Sequence, residues 1–459
     1  MPKFIDEAVV AFSAELRGLE AQEPLLCAWR YQGGPGTGTG NLFPTLLRIL
    51  ADRRRARKAL EGPAPGQIVV AAYSPLSATW GTLAPILREL ASRGEPAYLL
   101  YSDQTRPILS SVPHRGAAHI MALAASLPIA VRVRHLFAAR RLARSLRRVL
   151  PPNSDGGAER WLEWALSTRA AAGPWLKGAG ALAADSDIEA PRMALFGAAR
   201  AAGVPSAVLQ HGFFSPHQFP LHAHRLLTWG GYFSRQAIVC GLSPGSEVEV
   251  GCPRWDGLDA LRREPRIPAV REAMGGRPGR PLVLIISNAH GAEVYPRHYT
   301  PFFEGLRNLV ETGLEVAVRL HPVERDLRYY RPHLPDSITD ALRTVPQSLS
   351  LHDALRHSDV VYHVFSAAAL EAMLLGVPVL FERGEEGAEP LTDLPGNGGG
   401  RWTGPSGVVR DCAELGTAGE ARGACLEAQE RFLEGAFSHR GRATEAACAS
   451  LLRLAGRPA

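Results

Sequence analysis

From Gln67 onward, short apolar runs of strand length alternate with longer stretches whose apolar positions recur at helical spacing, the pattern of parallel α/β layers. Residues 67–73, 96–101, 180–184 and 206–210 read as strands, with helices over 81–92 and 189–202 between them. Leu226 to Trp229 and Glu247 to Val250 read as two further short strands. This half predicts one doubly wound sheet.

A turn-rich segment, Gly251-Cys252-Pro253-Arg254, and a polar, Pro-containing stretch as far as Pro281 interrupt the alternation. It then restarts: strand 282–287, helix 299–312, strand 314–320, helix 351–357, strand 360–364, helix 367–375 and strand 377–381. The expected organisation is a Rossmann-like domain over 1–255, a second over 256–430, and a C-terminal helix over 431–459. Residues 384–407, rich in Gly, Glu and Pro, are expected to be a mobile loop. No repeat of solenoid period is visible, so the likeness of the two halves is architectural.

At 459 residues the chain exceeds what one hydrophobic core usually serves, in agreement with two domains. Its 46% hydrophobic and 21% charged residues are those of a globular protein. No apolar run reaches the roughly 18 residues of a membrane span. The first twenty residues mix acids among apolar positions and so lack a signal-peptide core. The six cysteines have no CxxC spacing, which argues against a zinc cage or a disulfide framework; a cytoplasmic protein with reduced thiols is expected.

A net charge of +6 favours anionic partners, and it concentrates between Arg132 and Val149, where seven arginines interleave with apolar residues at helical spacing. That segment is either a packed helix with a solvated basic face or a peripheral contact with an anionic membrane. Nucleic acid is not an expected partner.

Candidate chemistry collects where predicted strands end, because ligands of open α/β sheets bind at the carboxyl edges. The run Val208-Leu209-Gln210-His211-Gly212 places His211 after one strand, and Val316 to Leu320 places His321 after another. These two histidines suggest a cleft with one imidazole on each wall. His211 is a candidate base for an acceptor hydroxyl, and Asp187, in Asp185-Ser186-Asp187, would orient it or act as base itself. Pro322 ends its strand and aims His321 outward, toward a leaving phosphate or into acid–base work. Arg319 shares the strand direction of His321.

Ser366 reads as the N-cap of a helix beginning at Ala367, where free backbone N–H groups suit a phosphate. Glu371, one turn on, would accept from ribose hydroxyls. His290, on a rim loop, is a further contact for a base or sugar. The loop from Gly33 to Gly40 lacks the Gly-Lys-Ser/Thr ending of a P-loop and reads as flexible. No metal-ligand set and no resident cofactor are expected.

Several motifs in order carry a family resemblance: Gln210-His211-Gly212, Leu226 to Gly230, Val250 to Asp256, His321-Pro322, and Ser366 through Pro378. Over roughly residues 180–382 the chain resembles glycosyltransferases of the GT-B fold, an α/β architecture of two facing Rossmann-like domains. Bacterial sialyltransferases and capsule transferases have His-Pro and Ser/Thr motifs that bind the nucleotide phosphate, and His321 and Ser366 match these. Teichoic-acid glycerophosphotransferases have a catalytic His-Gly histidine, which His211 matches. The acid-acid-Gly base motif of sialyltransferases is missing.

The resemblance implies transfer of a sugar from a CMP-, CDP- or UDP-linked donor, as co-substrate, to a hydroxyl of a glycan or other acceptor in bacterial glycoconjugate biosynthesis. A non-hydrolysing nucleotide-sugar 2-epimerase and a non-catalytic nucleotide- or glycan-binding protein of this fold stay open.

Overall fold

The computed structural model of the chain describes residues 61–73, 77–146, 158–187, 190–388 and 391–458. The Gly33–Gly40 loop, and Arg147, Arg148 and Val149 of the Arg-rich segment, lie outside the described residues. The chain divides into two compact units, one reaching Arg254 and resuming at Ser438, the other spanning Trp255–Phe437.

In the first unit, strands β1 (Ile68–Ala72), β2 (Tyr98–Tyr101), β3 (Gly116–His119), β4 (Ala181–Ala184), β5 (Ser206–Leu209), β6 (Arg225–Thr228) and β7 (Glu247–Glu249) form one sheet. Its order is β3-β2-β1-β4-β5-β6-β7, and every pairing is parallel. Strands such as Ile-Val-Val-Ala-Ala in β1 are apolar at each position because helices cover both faces of a parallel sheet. The last helix, Ala443–Leu454, packs Ala447, Cys448, Leu451 and Leu452 into the cluster that also holds Leu83, Ile86 and Leu87 of helix Ser77–Ser92. The end of the sequence therefore belongs to the first unit.

Arg132 is a correction to the picture of a uniformly basic face. On helix Ile129–Leu146 it points inward with Leu136 and Ala139, and its guanidinium grips Glu163 of helix Ala158–Leu176 through two bonds of 2.9 and 3.2 Å. Arg132 is therefore not part of the basic face of this helix. Arg134 and Phe137, on another side of the helix, are exposed. Among the described residues no helix is long and apolar enough to cross a membrane.

The second unit repeats the plan with β8 (Leu282–Ile286), β9 (Glu315–Arg319), β10 (Arg343–Thr344), β11 (Val360–His363), β12 (Val379–Glu382) and β13 (Arg401–Thr403), ordered β10-β9-β8-β11-β12-β13 and again parallel throughout. In both sheets the strand order reverses direction once, between β1 and β4 and between β8 and β11. Those switch points open a crevice at the carboxyl edge. Helix Pro296–Glu311 covers one face by burying Tyr299, Phe302, Phe303, Leu306 and Leu309, a stripe at helical spacing, against Tyr362 and the strand side chains.

The expected mobile loop over 384–407 is in part sheet, since Arg401–Thr403 forms the edge strand β13 beside β12. Gly400 makes the approach feasible: it has φ of +117°, and a Cβ there would stand 2.7 Å from the Phe381 ring. A run of glycines here serves close packing.

His363, the last residue of β11, is fully buried with its ring 4.4 Å from that of Phe381, and among the described residues no group bonds either ring nitrogen. Burial pushes its pKa down to about 3. The folded state thus keeps His363 neutral while the unfolded chain takes up a proton below about pH 6.5, so stability is lost as pH falls through that value. Urea unfolding at pH 7 and pH 5 should show His363→Leu losing about 2 kcal/mol less than the parent over this interval; equal losses would contradict the assignment.

Candidate functional site

At the carboxyl edge of the first sheet, β4 and β5 run side by side and deliver Asp185 and His211 to neighbouring positions. The His211 ring is 2.7 Å through Nδ1 from the backbone carbonyl of Asp185. A carbonyl can only accept, so the proton of a neutral His211 sits on Nδ1 and Nε2 is left as a lone pair. Nε2 has no protein partner among the described residues, and the ring is half-buried.

The Gln-His-Gly turn is held by Trp229, which follows β6. Its backbone N–H donates to Gln210 Oε1 at 2.8 Å, and its indole Nε1–H donates to the Gln210 carbonyl at 2.9 Å. Gln210 Nε2 in turn donates to the Gly212 carbonyl at 2.9 Å. Arg254, stacked 5.4 Å over the Trp229 ring, donates to the His211 carbonyl at 3.2 Å. Gln210 and Trp229 are 2% and 1% exposed, so each of these bonds replaces water.

Asp187 shares this edge but is engaged elsewhere, its Oδ2 accepting from the backbone N–H groups of His222 and Ala223 at 2.6 and 3.1 Å. Burial raises its pKa to about 6 against those bonds and Arg192. The group that touches the His211 ring is the main chain of Asp185, whose carboxylate pairs with buried Arg192 at 3.4 Å. Asp185, Asp187, His211, Phe214 and Phe219 border a hollow of about 30 Å³. That is room for a water and too little for a sugar.

In the second unit, His290 follows β8 and His321 follows β9, adjacent strands in register from Leu282↔Glu315 to Ile286↔Arg319. Their rings lie 4.7 Å apart. Between them is Glu324, 3% exposed. Its Oε1 accepts from the His290 backbone N–H and from Nδ1, both at 3.0 Å. Its Oε2 accepts from the His321 backbone N–H at 3.1 Å and from the Ser287 hydroxyl. Burial alone would push this carboxyl up; the bonds from Ser287, His290 and His321 outweigh it and hold Glu324 below the usual carboxylate range.

His321 Nδ1 accepts the Val323 backbone N–H at 3.3 Å. Burial, and then the neighbouring His290, lower its pKa. A neutral His321 therefore presents Nε2–H as a donor, the opposite tautomer to His211.

The other predicted residues are placed as follows. Ser366 comes after β11, but the helix behind it is Ala368–Leu374, one residue later than expected; the Ser366 hydroxyl accepts the Ala368 N–H at 3.2 Å. Glu371 is buried, with Oε2 2.8 Å from His352 Nε2. Arg319 donates to the carbonyls of Pro346 and Leu349 at 3.2 and 2.9 Å, pinning the loop after β10. That loop and the turn after His321 border a groove of about 520 Å³, lined by Leu320, Arg325, Val345 and Pro346 among others.

Sequence reasoning missed Glu324 and the partnership of Gln210 with Trp229. The first had a signal: Glu324 stands three residues after His321, a spacing that lets a carboxylate return to the backbone N–H while its own N–H closes the turn on the His321 carbonyl at 2.8 Å. The second, between residues nineteen apart, had none.

The chain matches no family model and no curated protein. Solved structures share its architecture. UDP-GlcNAc 2-epimerase from Neisseria meningitidis bound to UDP-GlcNAc is 12% identical with a TM-score of 0.51, over 84% of this chain and 100% of that one. A glycosyltransferase from Rickettsia africae is 11% identical with a TM-score of 0.51, over 84% and 98%. The wall teichoic acid polymerase TagF, in complex with CDPG, is 11% identical with a TM-score of 0.50, over 90% and 95%. At these identities the likeness is one of fold, and the fold of this chain is GT-B, shared by glycosyltransferases and UDP-GlcNAc 2-epimerases alike.

Gln210→Ala leaves the buried Trp229 N–H and the Gly212 carbonyl without their partner, and should cost about 2 kcal/mol in urea unfolding. A loss under about 0.5 kcal/mol would show that the lock on the His211 turn lies elsewhere.

Proposed function

We propose that this protein transfers a sugar from a nucleotide-activated donor, linked through CMP, CDP or UDP, to a hydroxyl of a glycan or other acceptor, in the cytoplasm and in the service of glycoconjugate biosynthesis. The observation that supports it best is the pair of opposite tautomers: His211 offers a lone pair at Nε2, and His321 offers a proton at Nε2. Transfer needs one group of each kind. The acceptor hydroxyl gives its proton to His211 as its oxygen bonds the anomeric carbon. The bond from that carbon to the donor phosphate breaks, and the charge left on the phosphate is met by the His321 Nε2–H and by backbone N–H groups around Ser366.

On this reading the groove bordered by Leu320, the residue before His321, receives the nucleoside, because at about 520 Å³ it falls within the size range of ligand pockets. Arg319 shapes the wall of that groove through the loop carbonyls it holds and acts on the donor indirectly. Glu371, tied to His352, would meet a ribose hydroxyl only by sharing its carboxylate. Asp187, with Oδ2 engaged by two N–H groups, borders the hollow beside His211 and is not the group that holds its ring.

Purified protein incubated with UDP-, CDP- and CMP-linked sugars and a set of glycan acceptors should give a glycosylated product detectable by mass spectrometry. His211→Ala and His321→Ala should each lower the rate at least about 100-fold, the usual scale for losing a positioned acid or base, with the circular dichroism spectrum unchanged. Full activity in either variant removes that residue from the mechanism. An epimer formed from a UDP-sugar alone, with no acceptor present, would replace transfer with epimerisation.

A further inference from the structure

We infer that Glu324 is the positioning residue of the donor-phosphate site, holding His290 beside His321 as a second phosphate ligand. This inference rests on the nucleotide-sugar reading of the second unit.

Four groups point hydrogens at Glu324: the His290 backbone N–H, His290 Nδ1, the His321 backbone N–H and the Ser287 hydroxyl. The Ser287 oxygen accepts from the Tyr330 hydroxyl at 2.7 Å and its hydrogen goes to Glu324. All four partners therefore donate, and only a group with two accepting oxygens satisfies them. A glutamine of the same shape would set an NH₂ against two donors. The demand is for a carboxylate, beyond a side chain that fills the space.

The consequence falls on His290. With Nδ1 held 3.0 Å from Glu324, Nε2 is the ring atom left for a phosphate, and a proton shared between the two has the carboxylate behind the ring as its counter-charge. Its ring centroid is 4.7 Å from that of His321, whose own Nε2–H is a donor. The same carboxylate holds the His290 ring while the Val323 N–H holds that of His321, so His290 is set in place before the ligand arrives, which removes an ordering cost from binding. Tyr329 stands against the His290 ring, Tyr299 and Tyr330 lie near Glu324, and among the described residues Glu324 is the carboxylate that bonds this pair.

The test is calorimetric titration of the intact chain with UDP and with CDP, and with uridine and cytidine as phosphate-free controls, for the parent, H321A, E324Q, H290A and the E324Q/H290A double variant. The expected result is that E324Q and H290A each weaken diphosphate binding about tenfold, that the double variant is no weaker than H290A alone, and that nucleoside binding is unchanged. Imidazole ¹⁵N spectra should show Nδ1 of His290 protonated in the parent and altered in E324Q. Parental diphosphate binding in E324Q, with H321A impaired, overturns the role of Glu324 and leaves the donor site standing. A double variant tenfold weaker than H290A shows that Glu324 does not act through His290, and also overturns it. Absence of UDP and CDP binding in the parent overturns both this inference and the reading beneath it. Should E324Q fail to fold, H290A decides: parental diphosphate binding in that variant rejects the proposal.

Discussion

Two backbone hydrogen bonds, each to the Nδ1 atom of a histidine at the end of a strand, decide which nitrogen of each neutral ring carries the proton. One runs from His211 to the Asp185 carbonyl, the other from the Val323 N–H to His321. A carbonyl forces a proton onto the ring nitrogen it meets; an amide N–H forces it off. Neutral imidazole has one proton to place, so the outer nitrogen of each ring becomes an acceptor in the first case and a donor in the second. Both instructions come from the main chain, so they are written into the strand ends themselves.

Parallel strands are what bring the main chain to those positions. In each sheet the strands finish at a common edge, and side chains just beyond them are held by neighbours one strand away, as His211 is by Asp185 and His290 by the turn that carries His321. Such edges expose polar backbone in a partly desolvated setting, where an unpaired group costs about 1–3 kcal/mol. The buried amide of Gln210 and the buried carboxylate of Glu324 satisfy several of these groups at once. The same bonds that complete the fold also restrict the histidine turns, so the fold and the chemistry share one set of partners.

Much of this was legible along the sequence. Apolar runs separated by helical stretches betray a parallel sheet, and a histidine followed by Gly or Pro directly after such a run must stand near the carboxyl edge, as His211 and His321 do. Less legible was anything decided by a partner distant in sequence. That the Asp185 main chain, and no carboxylate, orients His211 depends on strand register. Arg132 looked like part of a basic surface because its spacing fitted; only Glu163, thirty-one residues away, turns it inward. The glycines near Gly400 suggested a loop, since composition does not reveal that a ring, Phe381, needs the space a side chain would fill. Glu371, expected to await a ribose, is bonded to His352 from a neighbouring helix.

The most direct measurement is a crystal structure of the protein soaked with CDP or UDP. The account predicts phosphate oxygens within hydrogen-bond distance of His321 Nε2 at the carboxyl edge of β8, β9 and β11, with the nucleoside in the groove bordered by Leu320 and Val345. A nucleotide bound on any other face, or a groove that stays empty at millimolar nucleotide, would contradict it.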